Sequence, residues 1–157
     1  MRITRHSLAA VTGVVLLAGG LALAQAADPL VGTWKLNTEK SKGTGLKSGT
    51  TRVEKDGAGI KMFVDLLRTD GTAYKWTVTG KYDGKDSPVT GNSPYGDSVA
   101  MERVDAHTYK FTSKMGGKVT ASQTIVIAAD GKTRTNTSKG SDAKGQPLDT
   151  IAFYDKQ

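Results

Sequence analysis

The residues of this chain that could take part in chemistry are few and far apart. The sequence has no cysteine and only two histidines, His6 and His107. Catalysis by a nucleophile needs a base within hydrogen-bond reach, and His107 lies in Val-Asp-Ala-His-Thr, a segment typical of a surface turn. The sequence therefore favours a protein without catalytic function, and it predicts no catalytic residue, no cofactor and no metal ligand.

Carboxylates are the remaining candidates for acid–base or metal chemistry. Asp65 and Glu102 each lie within a run that reads as a strand, and alternation with apolar neighbours points both side chains to solvent. Asp83, Asp86 and Asp97 are close in sequence, but their spacing does not match a calcium-binding loop. Turn formation is the expected role of these three residues.

The N-terminal segment has the composition of a secretory signal peptide. Arg2 and Arg5 precede an apolar stretch from about Leu8 to Ala24, and Ala24-Gln25-Ala26 is a small-x-small cleavage pattern. A membrane anchor is the alternative, but two adjacent glycines weaken the apolar stretch as a helix. We predict a signal peptide over residues 1–26 that is removed by cleavage.

The remaining residues, 27–157, are enough for one domain with a hydrophobic core. Without cysteine, this domain has neither a disulfide nor the residue needed for lipid attachment. Loss of Arg2 and Arg5 lowers the net charge of the whole chain from +7 to about +5, a modest excess typical of a solvated exterior. We expect a periplasmic or secreted domain with no stable membrane insertion after cleavage.

The dominant pattern of this domain is an alternation of polar and apolar residues, interrupted by turn dipeptides such as Asp56-Gly57 and Asp130-Gly131. Strands are predicted near Gly32 to Asn37, Thr50 to Lys55, Ile60 to Arg68, Thr72 to Tyr82, Ser98 to Val104, Thr108 to Met115, Lys118 to Ala128, Lys132 to Lys139 and Leu148 to Asp155. No segment has a helical period. The sequence predicts an all-β domain, an antiparallel up-and-down meander closed into a barrel of about eight to ten strands, with an open sandwich as the alternative.

One long connection, Lys81 to Asp97, interrupts this pattern. It is rich in Gly, Pro, Asp and Ser and is much longer than the two-residue turns elsewhere. Pro88 and Pro94 restrict its backbone, while Val89 and Tyr95 provide apolar groups that can dock. We predict a folded Ω-like loop or a short extra strand packed over one mouth of the barrel, and a mobile loop is the alternative.

Aromatic and basic residues occupy opposite faces of the predicted strands. Tyr74 and Trp76 alternate with Lys75, and Phe111 follows Lys110 in the same way. Single-stranded nucleic-acid binders need rings and cations on one surface, so nucleic-acid binding is not expected. The residues predicted to point inward are Trp34, Met62, Val64, Tyr74, Trp76, Val78, Met101, Tyr109, Phe111, Val119, Ile125 and Tyr154.

Two polar residues, Gln123 and Thr150, share the inward parity of their apolar neighbours. An unpaired buried amide is costly, so these side chains favour a hydrated or ligand-occupied cavity. A packed core with a few hydrogen-bonded polar groups is the alternative, since a barrel of about eight strands can either be filled by side chains or hold one small ligand.

The residues Gly32-Thr33-Trp34 open the first strand, and here the chain resembles the lipocalin-like, or calycin, barrels. "GTWKLN" at the start, "YDGKDSPVTGN" in the middle and "GSDAKGQP" before a closing "YDK" are similar to small secreted bacterial lipocalin-like proteins of largely unassigned function. The resemblance implies structural roles for Gly32 and Trp34 at the base of a ligand-binding barrel. In that superfamily an Arg of the last strand commonly covers the Trp; here the last strand offers only Lys156, so a weaker cation–π contact or none is expected.

The leading functional hypothesis is a non-enzymatic exported protein that binds a small apolar or aromatic ligand inside the barrel. The predicted ligand-binding residues are Met62, Val64, Tyr74, Trp76, Val78, Tyr82, Tyr95, Met101, Tyr109 and Phe111, with Tyr82 and Tyr95 at the portal. The alternative is a protein-binding module, such as a periplasmic protease inhibitor that acts through Ala27 to Val31. A third possibility is an isomerase or lyase that uses cavity tyrosines.

Overall fold

Ten antiparallel strands follow one another along the chain, as seen in a computed structural model that describes residues 27–157. The strands are β1 (Gly32–Lys42), β2 (Leu46–Asp56), β3 (Gly59–Arg68), β4 (Ala73–Gly80), β5 (Asp83–Gly91), β6 (Ser98–Arg103), β7 (Thr108–Met115), β8 (Lys118–Ile127), β9 (Thr133–Ser141) and β10 (Pro147–Lys156). The predicted signal peptide, residues 1–26, lies outside the described residues.

The strands form a closed barrel in which each strand pairs with its sequence neighbours. The closing pair is β1 with β10, where Trp34 lies opposite Lys156 and Leu36 lies opposite Tyr154. Closure gives both edge strands a partner, which is how antiparallel sheets remove exposed edges. The predicted all-β meander closed into a barrel is confirmed, and the open sandwich is wrong.

The fifth strand is the main difference from the predicted element order. Residues 83–91 of the long connection form β5, a full member of the barrel that pairs with β4 and β6. Ser87 is the one buried side chain of this strand, so β5 has no alternating apolar face by which to recognise it in the sequence. Only residues 92–97 remain as a loop between β5 and β6.

The inward and outward faces follow the predicted parity at the aromatic positions. Phe111 is buried and Trp76 is half-buried, whereas Lys75 and Lys110 are exposed. Val119 is the exception, because 63% of it is exposed although it was predicted to point inward. The β7–β8 register shifts between Ala121 and Val119, which leaves Thr120 without an opposite residue, so the alternation that buries Ala121 does not extend to Val119.

The barrel has two different ends. At one end, which we call the base, Leu30 and Trp34 are fully buried, and the Trp34 Nε1 donates a 2.8 Å hydrogen bond to the Leu30 carbonyl. At the other end, which we call the mouth, lie the loops that join β1 to β2, β3 to β4, β5 to β6, β7 to β8 and β9 to β10. Among residues 27–157 there is no helix with the length and apolar character to cross a membrane.

Candidate ligand-binding cavity

The barrel interior contains a cavity of about 480 Å³ that reaches the mouth. Its lining comes from inward side chains of β2, β3, β4, β8, β9 and β10 and from four of the mouth loops. A volume of this size lies within the range of about 300–1,000 Å³ that is typical of small-molecule sites. Of the two alternatives left open by the sequence, the structure therefore has an interior cavity above the packed base.

One wall of the cavity is apolar. Met62 and Val64 of β3 line it together with Trp76 of β4, which lies opposite Val64, and Tyr74 continues the inward face of β4 towards the mouth. These residues alternate with exposed or half-buried side chains because successive strand residues point to opposite faces. This wall offers thioether, aliphatic and aromatic surface to an apolar molecule.

The loop over the mouth is held by hydrogen bonds to three other parts of the barrel. The Asn92 backbone amide donates to the Lys75 carbonyl at 2.9 Å, and the Thr120 hydroxyl donates to the Tyr95 carbonyl at 2.6 Å. The Ala143 amide, in the loop between β9 and β10, donates to the Pro94 carbonyl at 2.8 Å. Residues 92–97 therefore form a folded loop at the mouth, but the prediction of a loop or short strand over the mouth for all of Lys81 to Asp97 was wrong, because residues 83–91 belong to the barrel itself.

Tyr95 projects from this loop into the cavity. Its ring meets the ring of Trp76 edge to face, with 5.8 Å between the centroids and 80° between the planes. Burial raises the pKa of the Tyr95 hydroxyl to about 12. The two rings thus join the loop to the apolar wall.

A polar stripe runs along the opposite part of the interior, on β9. Arg134, Asn136 and Ser138 alternate along this strand, and all three are buried and line the cavity. Gln123 of β8 donates a 3.0 Å hydrogen bond from Nε2 to the Ser138 hydroxyl. Gln123 and Thr150 line the cavity as the sequence predicted, whereas the three residues of the stripe were missed.

Arg134 lies at the deep end of this stripe, beside the base. Its guanidinium carbon lies 5.1 Å from the centroid of the Trp34 ring and 4.4 Å from that of the Tyr154 ring, and only 2% of the residue is exposed. Burial lowers the pKa of Arg134 to about 10, against the opposing influence of Tyr154. The side chain therefore remains a cation at neutral pH.

Arg134 also covers the Trp34 ring, a role that the resemblance to lipocalin-like barrels assigns to an arginine of the last strand. The Lys156 ammonium lies 5.0 Å from the Trp34 ring centroid, which is the cation–π contact that the sequence left open. Arg134 reaches the same ring from β9, the neighbour of the last strand. Gly32 has a φ of +138°, and a Cβ built there would lie 2.5 Å from the Lys156 Cε. Absence of a side chain at Gly32 thus leaves room for Lys156.

At the base of the barrel, two tyrosine hydroxyls donate hydrogen bonds to one carboxylate, that of Asp28. Tyr82 donates its hydroxyl to Asp28 at 2.7 Å, and Tyr109 donates to the other carboxylate oxygen. Burial, followed by the hydrogen bond to Asp28, raises the pKa of both tyrosines. Tyr82 was predicted at the portal with Tyr95, but its bond to Asp28 holds it at the base, because residues 81–82 form the connection between β4 and β5 at that end.

The ten predicted ligand-binding residues thus fall into two groups. Those that line the cavity are Met62, Val64, Tyr74, Trp76 and Tyr95. Those that lie in the packed core or at the base, outside the cavity lining, are Val78, Tyr82, Met101, Tyr109 and Phe111. Alternation along a strand shows which residues point inward but not how far each one lies from the mouth. The sequence therefore could not separate cavity-lining residues from core residues.

The residues first considered for chemistry lie apart from the cavity. His107 is in the turn between β6 and β7, where its amide donates to the Asp105 carboxylate at 2.8 Å. Asp65 accepts from Lys75 on the outer face at 2.7 Å, and Glu102 is exposed. Across residues 27–157, no group of three or more His, Cys, Asp or Glu side chains is arranged to hold a metal ion.

A second depression, of about 580 Å³, lies on the outer face of β1 to β5. It is more open than the interior cavity, and Phe63 within it is covered by the Arg52 guanidinium at 4.0 Å. The Lys75–Asp65 ion pair borders it. Because outward, solvent-facing side chains dominate this depression, the interior cavity is the better candidate site.

Fold and cavity together define the class of this protein as a closed, ten-stranded antiparallel barrel with an internal cavity, consistent with a calycin-like barrel. No protein-family model matches the sequence, and no curated protein matches it with statistical significance.

Proposed function

We propose that this chain is an exported, lipocalin-like binding protein that holds a small apolar or aromatic molecule inside its barrel without transforming it. The observation that carries this proposal is the cavity of about 480 Å³ with an apolar wall and a folded loop at its mouth. The Gly-x-Trp that begins β1, with two cations over the Trp34 ring, supports the resemblance to secreted lipocalin-like barrels. The N-terminal sequence pattern supports a periplasmic or secreted location.

In this proposal different cavity residues make different contacts with the ligand. Tyr74 and Trp76 provide flat aromatic surface, and Met62 and Val64 provide a wall that adapts to the shape of the ligand. Tyr95 covers the occupant from the side of the mouth. Val78, Met101 and Phe111 support the lining from the packed core rather than touching the ligand.

The test is a fluorescence titration of residues 27–157 with fatty acids, phenols and isoprenoid alcohols, followed at the tryptophan emission. Trp76 lines the cavity, so an occupant changes its surroundings. N-phenyl-1-naphthylamine, an apolar dye, serves as a second probe. We expect saturable binding of the dye and its displacement by at least one class of compound.

The matched variants are Ala152→Phe and Ile151→Phe. Ala152 is buried and lines the cavity, whereas Ile151 is its neighbour on the outer face of β10 and is 37% exposed. Filling the interior should abolish dye binding, and the outward substitution should leave it intact, with folding of both followed by circular dichroism. A folded wild-type protein that excludes the dye and every ligand would refute the proposal.

The protein-binding alternative depends on a free N-terminal segment. Leu30 is fully buried, and the Asp28 carboxylate is bonded to two tyrosines at the base. A segment held in this way must leave the barrel before it can enter another protein, which favours the small-molecule proposal. Pull-down from a periplasmic extract with the whole domain and with a variant lacking residues 27–31 tests the alternative directly.

A further inference from the structure

The interior of the barrel holds a positive charge for which residues 27–157 provide no carboxylate partner. Arg134 makes no ion pair among these residues, and its Nε and Nη1 atoms are buried with no hydrogen-bond partner. The Oδ1 of Asn136, two residues along the same strand, is also buried without a partner. Buried polar atoms are almost always hydrogen-bonded, and the cost of leaving a charged one unpaired is high.

Stacking on aromatic rings accounts for only part of the Arg134 environment. The centroids of the Trp34 and Tyr154 rings lie 5.1 and 4.4 Å from the guanidinium carbon. Such cation–π contacts stabilise the positive charge where it faces the rings. They do not accept the in-plane N–H groups at Nε and Nη1, which need oxygen acceptors. Arg134 lines the cavity, so an occupant can supply those acceptors, whereas the Asn136 Oδ1, itself an acceptor, needs a hydrogen-bond donor.

We propose that the ligand has an anionic oxygen head group, a carboxylate or a phosphonate, which enters first and binds the Arg134 guanidinium at the deep end of the cavity. This inference rests on the proposed function and names the ligand class for that site. A guanidinium favours carboxylate and phosphate oxygens over neutral groups because the hydrogen bonds are charge-assisted. The apolar part of the ligand then lies along the wall of β3 and β4, with its far end under Tyr95.

The positions of the charged residues along the barrel indicate which end of the ligand lies at the base. Arg134 lies near the start of β9, opposite Ile127 and Tyr154, and contacts the base residue Trp34. Around the mouth lie Arg68 at the end of β3, with a partly exposed side chain, and the exposed loop residues Asp70 and Lys144. An anionic group at the mouth would stay hydrated, whereas at Arg134 it neutralises the only buried cation among the described residues.

The experiment compares ligands that differ only in the head group: decanoate, decylphosphonate and 1-decanol, with 1-naphthylacetate and 2-(1-naphthyl)ethanol as an aromatic pair. Affinities are measured by displacement of N-phenyl-1-naphthylamine and by calorimetry. We expect the anions to bind about tenfold or more tightly than the matched alcohols. The relative affinities of decanoate and decylphosphonate distinguish the two sources of the anionic oxygen.

The variants are Arg134→Met, Arg134→Lys and, as a matched control, Arg52→Met. Arg52 also stacks on an aromatic ring, that of Phe63, but it lies on the outer face. Arg134→Met should bring anions and alcohols to similar affinity, Arg134→Lys should retain part of the preference, and Arg52→Met should retain all of it. Because Arg134→Met removes a group over Trp34, its folding is checked by circular dichroism.

A measurement on the wild-type protein keeps the proposal falsifiable if Arg134→Met does not fold. Decanoate labelled with ¹³C at the carboxyl carbon should stay ionised to lower pH when bound than when free, since a neighbouring cation favours the charged form. Equal binding of alcohols and anions, or a bound carboxylate that protonates at or above its free pKa, would overturn the proposed head group while leaving the container function intact. Failure of all these ligands and the dye to bind would overturn the container function itself.

Discussion

Tyr82 donates its hydroxyl to Asp28 across 2.7 Å, and this hydrogen bond joins the segment before β1 to the connection between β4 and β5. Tyr109 donates to the same carboxylate from β7. The ring of Tyr82 also lies 5.3 Å from that of Tyr109, centroid to centroid. Three distant parts of the chain thus meet at the base, where the Asp28 carboxylate accepts a hydrogen bond from each of the two tyrosines.

We expect Asp28→Ala to destabilise the barrel by about 2–4 kcal/mol, because the substitution leaves two tyrosine hydroxyls without their acceptor. The measurement is urea unfolding followed by tryptophan fluorescence. Asp83→Ala is the control, since Asp83 accepts a hydrogen bond from the exposed Lys85 amide and should lose less than about 1 kcal/mol. Equal losses for the two variants would show that the shared carboxylate does not stabilise the base.

Alkaline pH should unfold the protein through its tyrosines. Burial raises the pKa of Tyr82, Tyr95, Tyr109 and Tyr154 in the fold. Above the ordinary tyrosine pKa of about 10 the unfolded state loses these protons first, so the free energy of unfolding falls as pH rises. Arg134 acts in the opposite direction, because its pKa is lowered to about 10 and the native state sheds that proton first.

Four tyrosines outweigh one arginine, so the net slope above pH ~10 should be negative. A spectrophotometric titration at the phenolate absorbance, run alongside circular dichroism, measures this. We expect most of the phenolate signal to appear together with loss of the fold, and Tyr82→Phe to make the pH dependence less steep. Smooth ionisation of all tyrosines near pH 10 in a folded protein would contradict the prediction.

Gly32→Ala should cost about 1–3 kcal/mol of unfolding free energy, from a positive φ and from crowding against the Lys156 side chain. Gly71→Ala is the control for φ alone, because φ at Gly71 is +87° and a Cβ there would meet nothing within 4 Å. Adding Lys156→Ala to Gly32→Ala separates the two causes in a double-mutant cycle. A coupling energy near zero would mean that Lys156 moves aside without cost.

Tyr95→Ala should speed the release of a bound probe about tenfold, because it removes a ring that lines the cavity and the edge-to-face contact that joins the loop to Trp76. Tyr95→Phe keeps the ring and should release the probe at the wild-type rate. Stopped-flow dilution of protein loaded with N-phenyl-1-naphthylamine gives both rates. If both variants release the dye as the wild type does, the loop of residues 92–97 does not control access.

Much of the fold could be predicted because turn dipeptides and alternation are local signals. Asp56-Gly57 and Asp130-Gly131 mark hairpins that the structure contains, and the aromatic residues of β4 and β7 alternate with exposed lysines. β5 could not be recognised in this way, because both of its faces are largely polar and its pairing with β4 and β6 is a non-local property.

The polar stripe of the cavity was missed for a related reason. In Thr133 to Ser138 both faces of the strand are polar, so alternation does not say which residues point inward. The register of the β8–β9 hairpin does identify the inward residues. A hairpin centred on Asp130-Gly131 places Ile127 opposite Arg134 and Ile125 opposite Asn136, which extends the inward face of β8 to Arg134.

Pairing of β1 with β10 means that the first and last strands of the domain meet at one seam, with Gln157 donating its amide to the Thr33 carbonyl at 2.9 Å. The ring of hydrogen bonds is complete only when the final strand has been synthesised, and contacts between chain ends are the slowest to form during folding. Truncation of β10 would leave β1 and β9 as two unpaired edges able to recruit strands from other molecules. Integrity of β10 should therefore decide whether the barrel closes or the chain aggregates.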